Sequence, residues 1–319
     1  IAGFPEFVKA SLAFAYGEDS PAVLEDRISG VQALSGTGSL RIGATFMSQY
    51  MGEGTPIYIS DPTWGNHLQI MEKAGLDVKR YRYFEPTTKG LDYDGMIEDL
   101  KAAPEGSIIL LHACAHNPSG VDPSPEQWKA ISDVCKEGNH VVFFDCAYQG
   151  FATGDARADA FAIRLFVEEG HNLMLAQSYA KNFGLYGERV GCLSVVCKST
   201  EEKDRVNSQL KRVIRPMYSS PPIHGAGIVQ EVLGCDVLRP QYYEECKSMA
   251  DRIAEMRVLL KAELIATGST LSWEFITEQI GMFAYTGMTK DMCEKLINKH
   301  HIFLTKDGRV SMAGINSKN

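Results

Sequence analysis

A polar stretch between two apolar runs constrains the fold of this chain most strongly. The runs at 173–176 and 190–196 have the composition of buried strands, and between them lie Ser178, Lys181 and Arg189. An ammonium group between two core strands is destabilising unless it is paired, neutralised or covalently bonded. Two interpretations of Lys181 remain open: a surface lysine on a strand-to-helix connection, or a lysine bonded to a carbonyl cofactor.

Strand-like and helix-like segments alternate along the rest of the chain. Apolar runs predict strands at 56–60, 78–84, 107–113, 140–151, 274–286 and 302–313, in addition to the two above. Helical spacing, caps and stop signals predict helices within 1–34, after 35–38, and at 91–104, 125–138, 157–169, 200–214, 240–267 and 289–299. This alternation predicts the α/β class, with a mostly parallel sheet covered by helices.

Charge and cysteine content narrow the functional class. The chain has 319 residues, a net charge of −8 and eight cysteines. An acidic chain is not typical of a nucleic-acid-binding protein, and no apolar run approaches the roughly 18 residues of a membrane span. Because no CxxC pair occurs, we expect buried free thiols rather than a disulfide or zinc framework. The chain begins at Ile1 without a signal-like segment, and we take it as a fragment that lacks both natural ends.

The turn at 35–38 is a candidate anion site. Its sequence, Ser-Gly-Thr-Gly, opens an amphipathic helical run. A turn of small residues at a helix start leaves backbone N–H groups free at the positive end of the helix dipole, where phosphate binds. An ordinary helix cap remains the alternative.

Polar and aromatic side chains follow three of the predicted strands. Trp64 and His67 come where a loop enters a helix, and Asn117 lies in an Asn-Pro-Ser-Gly turn after the strand at 107–113. Asp145 and Tyr148 lie at the end of the next strand. Open α/β sheets place ligands beyond the carboxyl ends of their strands, so these side chains are candidate site residues. Core packing for Trp64 and a turn cap for Asp145 are the alternatives.

Taken together, the motifs resemble those of the aspartate aminotransferase family of fold-type-I pyridoxal-phosphate enzymes. They are SGTG (35–38), DPTWGNH (61–67), HACAHNPSG (112–120), FFDCAYQGF (143–151), QSYAKNFGLYGERVG (177–191), RPMYSSPP (215–222) and GRVSMAG (308–314). The resemblance covers essentially the whole chain. It implies a large cofactor domain at 1–247, with a mostly parallel seven-stranded sheet between helices, and a partial smaller α/β domain at 248–319.

The resemblance also implies roles at the cofactor ring. Lys181 would form the Schiff base with pyridoxal phosphate and move the proton during catalysis, which requires a lowered amine pKa. Asp145 would keep the pyridine nitrogen protonated, and His67 would support Asp145 from the side away from the cofactor. Tyr148 and Asn117 would hydrogen-bond the 3′ oxygen of the cofactor.

Further roles concern the phosphate and the substrate. By the same resemblance, Trp64 would stack on the ring and lie beside the substrate together with Asn117. The phosphate would be held by Ser35, Gly36, Thr37, Ser178 and Arg189. Arg309 would clamp the substrate α-carboxylate, and Arg215 would bind the side-chain carboxylate from across a dimer interface. No metal site is implied.

The function implied is reversible amino transfer between L-aspartate and 2-oxoglutarate, giving oxaloacetate and L-glutamate by a ping-pong mechanism. The partners would be dicarboxylic amino acids, 2-oxo acids and a second copy of the chain, with no nucleic acid and no membrane. Phrases such as RPMYSSPP are closer to the mitochondrial form, which implies the mitochondrial matrix, with the cytoplasm as the alternative.

Three other functions compete with this one. An aromatic or kynurenine aminotransferase would use Arg309 but not Arg215. A dehydrogenase is disfavoured because no GxGxxG follows an early strand. A binding protein that has lost catalysis is disfavoured because the expected functional residues are all present: Lys181, Asp145, Arg189, Arg215 and Arg309.

Overall fold

The computed structural model describes residues 1–316 and residue 318. Its strands are β1 (Ile28–Leu34), β2 (Pro56–Asp61), β3 (Asp77–Arg82), β4 (Phe84–Glu85), β5 (Gly90–Leu91), β6 (Ile108–His112), β7 (Val141–Cys146), β8 (Met174–Ser178), β9 (Val190–Val196), β10 (Phe283–Tyr285) and β11 (Arg309–Ser311).

The helices are α1 (Pro5–Tyr16), α2 (Pro21–Leu24), α3 (Ser35–Met51), α4 (Asn66–Glu72), α5 (Tyr93–Ala102), α6 (Pro125–Glu137), α7 (Ala156–Asp159), α8 (Phe161–Glu168), α9 (Thr200–Met217), α10 (His224–Gly234), α11 (Leu238–Ala266), α12 (Phe275–Glu278) and α13 (Lys290–His300). A short 3₁₀ helix spans Met312–Gly314. No helix of the described residues is long and apolar enough to cross a membrane.

Seven strands form one sheet in the order β1-β9-β8-β7-β6-β2-β3. Strand β9 is antiparallel to both of its neighbours, and the other neighbouring pairs are parallel. Connections between parallel strands must cross over a face of the sheet, and helices cover both faces here. The predicted α/β class and the mostly parallel seven-stranded sheet between helices are therefore confirmed.

The central strands are apolar on both faces because each face packs against helices. On one face, Leu110 and Phe143 lie in a cluster with residues of α3, α4 and α9. On the other, Leu111 and Phe144 pack with residues of α5, α6 and α8. Alternate residues of β6 and β7 thus pack into two separate cores, one on each face of the sheet. This packing fixes the register of both strands and aligns their carboxyl ends.

The elements after α10 pack around a smaller cluster. Ile253 of α11, Ala284 of β10 and Met312 form its buried part, and β10 pairs antiparallel with β11. The boundary predicted between residues 247 and 248 lies inside α11, a helix of 29 residues. The division into two domains stays a prediction.

Several element predictions are wrong in detail. Residues 28–34 form strand β1 rather than a helix, since they pair along their whole length with β9. The predicted helix at 157–169 is divided at Ala160 into α7 and α8. The predicted strands at 274–286 and 302–313 shrink to three residues each, because only these residues find a partner strand.

The eight cysteines are free thiols. Seven are buried and Cys235 is partly exposed. Burial raises the pKa of several of these thiols, that of Cys135 to about 12. They pack as small apolar side chains.

Candidate functional site

A cavity of about 190 Å³ lies beyond the carboxyl ends of β6, β7 and β8. Its lining includes all ten residues predicted to hold the cofactor: Ser35, Gly36, Thr37, Trp64, Asn117, Asp145, Tyr148, Ser178, Lys181 and Arg189. They come from five separated stretches of the chain, and the parallel sheet brings them together at one edge. The remaining lining residues are Leu40, His112, Cys114, Ala147, Ala180 and Tyr186.

One end of the cavity is built to receive an anion. Helix α3 begins at Ser35, and the preceding Leu34 provides no side-chain acceptor for the first-turn N–H groups. These donors and the positive end of a 17-residue helix dipole therefore remain available to a ligand. The Ser35 hydroxyl lies 3.0 Å from the Ser178 hydroxyl, and Arg189 follows on the connection into β9.

The backbone at this end is held in an unusual conformation. Ser35 and Arg189 have φ of 61° and 54°, in the left-handed region that non-glycine residues rarely adopt. Gly191 makes this arrangement possible, because a Cβ there would lie 2.5 Å from the Ser35 carbonyl carbon and 2.6 Å from the Gln177 oxygen. Strained residues of this kind concentrate at ligand sites.

Asp145 provides a second charged group in the lining of the cavity. It is the penultimate residue of β7, and its Oδ2 lies 3.0 Å from Nε2 of the buried His67. Burial by itself raises the pKa of Asp145, but the hydrogen bond from His67, with His112 and Lys181 also close by, outweighs it and lowers the pKa below its ordinary value. The carboxylate is therefore ionised and can face a cationic ring nitrogen.

A chain of hydrogen bonds fixes the orientation of His67. His112 Nδ1 accepts from the Asn117 N–H at 3.2 Å, and its Nε2 lies 3.3 Å from the Thr63 hydroxyl, which is 2.8 Å from His67 Nδ1. Burial and the neighbouring His67 lower the pKa of His112 to about 3, so this ring is neutral. A neutral His112 that accepts at Nδ1 donates from Nε2 to Thr63, and Thr63 in turn donates to His67 Nδ1. His67 then donates from Nε2 to Asp145.

Neither Thr63 nor His112 was predicted as a site residue. The signal was present in the stretch HACAH (112–116), where histidines follow a buried strand directly. His116, four residues after His112, packs away from the cavity instead: its ring stacks on Tyr83 and its nitrogens contact the hydroxyls of Ser60 and Ser119.

Lys181 presents a half-buried amine with no bonded partner. Its Nζ lies 5.0 Å from the centre of the Tyr148 ring, and within the described chain it makes no hydrogen bond or ion pair. Burial lowers the pKa of Lys181, with Arg189 adding to the effect and Asp145 opposing it. The direction agrees with the prediction for an amine that must act in its neutral form.

Asn117 connects two further candidates to the cavity. Its side-chain nitrogen donates to the Tyr148 hydroxyl at 3.4 Å, and its Oδ1 accepts from Arg309 Nη1 at 3.0 Å. The Arg309 guanidinium lies over the Phe283 ring, 4.4 Å from its centre. Burial, with Asp145 nearby, raises the pKa of Tyr148, which keeps its phenol protonated as a hydrogen-bond donor.

Trp64 and Arg215 differ in where they lie. Trp64 lines the cavity and packs edge-on against His67. Arg215 is exposed near the end of α9, donates to the Ser219 hydroxyl at 2.8 Å, and does not line the cavity of its own chain. Its predicted role from across a dimer interface stays a prediction.

A larger cleft of about 790 Å³ lies elsewhere, between α1 and α11. Most of its cations are paired: Arg157 with Asp19, Arg239 with Glu18, and Lys247 with Asp251. Such self-neutralised surface pairs offer little to a charged ligand. The smaller cavity, with its unbonded amine and uncapped helix, is the stronger candidate site.

Comparison with known proteins identifies the family of the chain. The family model described as aminotransferase class I and II matches residues 1–319. The chain is 52% identical over 319 residues to the mitochondrial aspartate aminotransferase of Dictyostelium discoideum, covering 100% of this chain and 75% of that protein.

Two solved structures extend the comparison. A mitochondrial aspartate aminotransferase from Trypanosoma brucei superposes with a TM-score of 0.98 at 45% identity, covering 100% of this chain and 84% of that one. An aromatic-amino-acid aminotransferase from Burkholderia pseudomallei, covalently bound to pyridoxal phosphate, gives a TM-score of 0.98 at 41% identity, covering 100% and 79%.

Proposed function

The chain belongs to the aminotransferase class I and II family, and we propose that it transfers the amino group of L-aspartate to 2-oxoglutarate. This family depends on pyridoxal phosphate. The single observation that carries the proposal is the half-buried, unbonded amine of Lys181 in one cavity with the ionised Asp145. The mitochondrial aspartate aminotransferases among its relatives support the choice of substrate pair.

The donor set of the cavity fits pyridoxal phosphate. The uncapped start of α3, the hydroxyls of Ser35 and Ser178, and Arg189 would hold the phosphate, with Gly36 and Thr37 supplying N–H groups. Trp64 would cover one ring face. When bound, the cofactor supplies an aldehyde that bonds covalently to amines and a protonated ring that withdraws electrons from the substrate.

The chain's own residues would then position charges and move one proton. The ionised Asp145, oriented by His67, would hold a proton on the ring nitrogen. The protonated hydroxyl of Tyr148 and the side chain of Asn117 would donate to the ring oxygen. Lys181 Nζ, whose pKa is lowered by burial, would take the proton from the substrate Cα when it is in its neutral form.

Substrate selection would depend on two arginines. Arg309, held between Asn117 and Phe283, would bind the α-carboxylate through its planar fork. Arg215 would come from a second copy of the chain and bind the side-chain carboxylate. We therefore propose a homodimer with shared sites, and a division in which 1–247 hold the cofactor while 248–319 carry Arg309. Given the mitochondrial relatives, we also propose a mitochondrial enzyme.

An activity on aromatic amino acids is the second candidate. The observation in its favour is the close superposition on an aromatic-amino-acid aminotransferase. The α-carboxylate clamp and the proton transfer would be the same for both substrate classes, so only the contact to the substrate side chain distinguishes them.

The proposal is tested by mixing the cofactor-loaded protein with aspartate and 2-oxoglutarate and following oxaloacetate through a coupled reduction that consumes NADH. We expect turnover that Lys181→Ala abolishes and that Lys198→Ala, a change at an exposed lysine, leaves intact. Turnover of phenylalanine that exceeds turnover of aspartate would favour the second candidate, and turnover of neither would refute both.

A further inference from the structure

We propose that Arg257 is a positioning residue for substrate binding, which holds the segment 280–283 so that Phe283 supports the guanidinium of Arg309. This inference rests on the proposed function, because it takes Arg309 as the group that binds the α-carboxylate. Arg257 touches neither the cavity nor Arg309, so its effect would be transmitted through the main chain between them.

Arg257 is a buried cation whose guanidinium donates hydrogen bonds to main-chain carbonyl oxygens. It lies on α11 with 3% of its surface exposed. Its Nη1 donates to the Ile276 oxygen at 2.8 Å, and its Nη2 donates to the oxygens of Gly281 and Phe283 at 2.9 and 2.5 Å. Burial lowers the pKa of Arg257 to about 10, with no charged neighbour to offset it. An apolar side chain in its place would take these donors away from three main-chain oxygens.

The segment that Arg257 holds is pressed against the turn carrying Asn117. Ile280 donates its N–H to the Gly120 oxygen at 2.7 Å. A Cβ on Gly120 would lie 2.8 Å from the Ile280 oxygen and 3.0 Å from the Phe283 oxygen, so the two stretches of backbone are in direct contact. A Cβ on Gly281 would lie 2.7 Å from the Ala115 Cβ. The hydrogen bonds from Arg257 and these close backbone contacts together leave the segment little freedom to move.

Both contacts of Arg309 depend on this junction. Its guanidinium rests on the Phe283 ring at 4.4 Å, and its Nη1 donates to Asn117 Oδ1 at 3.0 Å. Phe283 belongs to the segment that Arg257 holds, and Asn117 belongs to the turn against which that segment packs. Releasing the segment would loosen the guanidinium without removing any group that touches substrate.

The planar guanidinium of arginine is required for these three hydrogen bonds. Two nitrogens at a fixed separation reach three carbonyls on separate residues, which a single ammonium cannot do. Arg252 provides a matched control on the same helix. It also donates to two main-chain oxygens, those of Ala313 and Ile315, but it is exposed, so water can replace its hydrogen bonds.

The experiment compares Arg257→Met, Arg257→Lys and Arg252→Met as cofactor-loaded proteins. The dissociation constant of succinate, a dicarboxylate without an amino group, is measured from its effect on the cofactor absorbance, alongside kcat and KM for aspartate. We expect Arg257→Met to weaken succinate binding by roughly tenfold, as for the loss of one charge-assisted hydrogen bond. KM should rise more than kcat falls. Arg252→Met should stay within about twofold of the wild type.

A second measurement separates positioning from general destabilisation. In an Arg309→Lys background the clamp is already impaired, so adding Arg257→Met should weaken succinate binding little further. If Arg257→Met does not fold, Arg257→Lys decides, with the same direction expected. Succinate affinity in the Arg257 variants equal to that of Arg252→Met, or a full tenfold loss that persists beside Arg309→Lys, would overturn the inference. A wild-type protein that neither binds succinate nor transaminates would instead refute the proposed function.

Discussion

The close approach at Gly191 leads to a quantitative prediction for Gly191→Ala. The added methyl would lie 2.5 Å from the Ser35 carbonyl carbon and 2.6 Å from the oxygens of Ser35 and Gln177. All three atoms are main chain, so no side chain can rotate away. Strand β9 and the start of α3 would have to separate by about half an ångström, and overpacking of this kind costs about 1–3 kcal/mol.

Two consequences follow for the variant. For a chain of this size the thermal midpoint should fall by roughly 2–5 °C. The first-turn N–H groups of α3 would also move from their positions around the phosphate, and losing one charge-assisted hydrogen bond would weaken pyridoxal phosphate binding by about tenfold or more. Thermal unfolding without cofactor and titration with pyridoxal phosphate measure the two effects separately.

Gly187→Ala is the matched control. Gly187 lies on the same connection between β8 and β9, and a Cβ there would meet nothing within 4 Å. Its thermal midpoint and cofactor affinity should match those of the wild type. A Gly191→Ala protein that is indistinguishable from Gly187→Ala would refute the claim that backbone contact between β9 and α3 shapes the anion end of the cavity.

Three further predictions concern the charged groups. Asp145→Ala should lower kcat by about 10³-fold or more, because the ring nitrogen loses its ionised partner; near-normal turnover would contradict that role. Arg215→Asp should reduce kcat/KM for aspartate by about 100-fold or more and spare phenylalanine, whereas equal losses would show that Arg215 does not read the side chain. Burial lowers the pKa of Lys181, so between that pKa and 10.5 the unfolded apoprotein binds more protons and the stability of the wild type rises with pH. Lys181→Met should therefore be the more stable protein in urea at neutral pH, with an advantage that shrinks towards pH 10.5, and a constant difference would contradict the assignment.

Much of the sheet could be predicted because its strands are locally distinctive. Runs such as Ile108–His112 and Val141–Cys146 are apolar on both faces, which only a covered strand allows. Strand β1 escaped prediction since its stability comes from β9, more than 150 residues later in the chain. Pairing over such a distance leaves no periodic signal in the strand itself. The helix α9 continues through Pro216 to Met217, because a proline this close to the helix end removes only one hydrogen bond at the last turn.

The site was predictable to the extent that its residues lie in recognisable motifs. All the predicted cofactor-binding residues line one cavity, although their individual roles stay predictions. The residues that orient them were not found, because Thr63 and His112 act through hydrogen bonds between separate loops. Arg257 was missed for a related reason: it lies in an ordinary helical pattern, and only the folded chain shows that its partners are carbonyls.

The central claim is that Lys181 carries pyridoxal phosphate and that the bound cofactor accepts the amino group of aspartate and passes it to 2-oxoglutarate. Absorption spectra of the cofactor-loaded protein, recorded alone, with aspartate, and then with 2-oxoglutarate, test it most directly. We predict a visible or near-ultraviolet band that shifts when aspartate converts the cofactor aldehyde to its amine, and that returns with 2-oxoglutarate. Lys181→Ala should lack the lysine-linked band. A spectrum that aspartate leaves unchanged, or a lysine-linked cofactor that persists in Lys181→Ala, would contradict the claim.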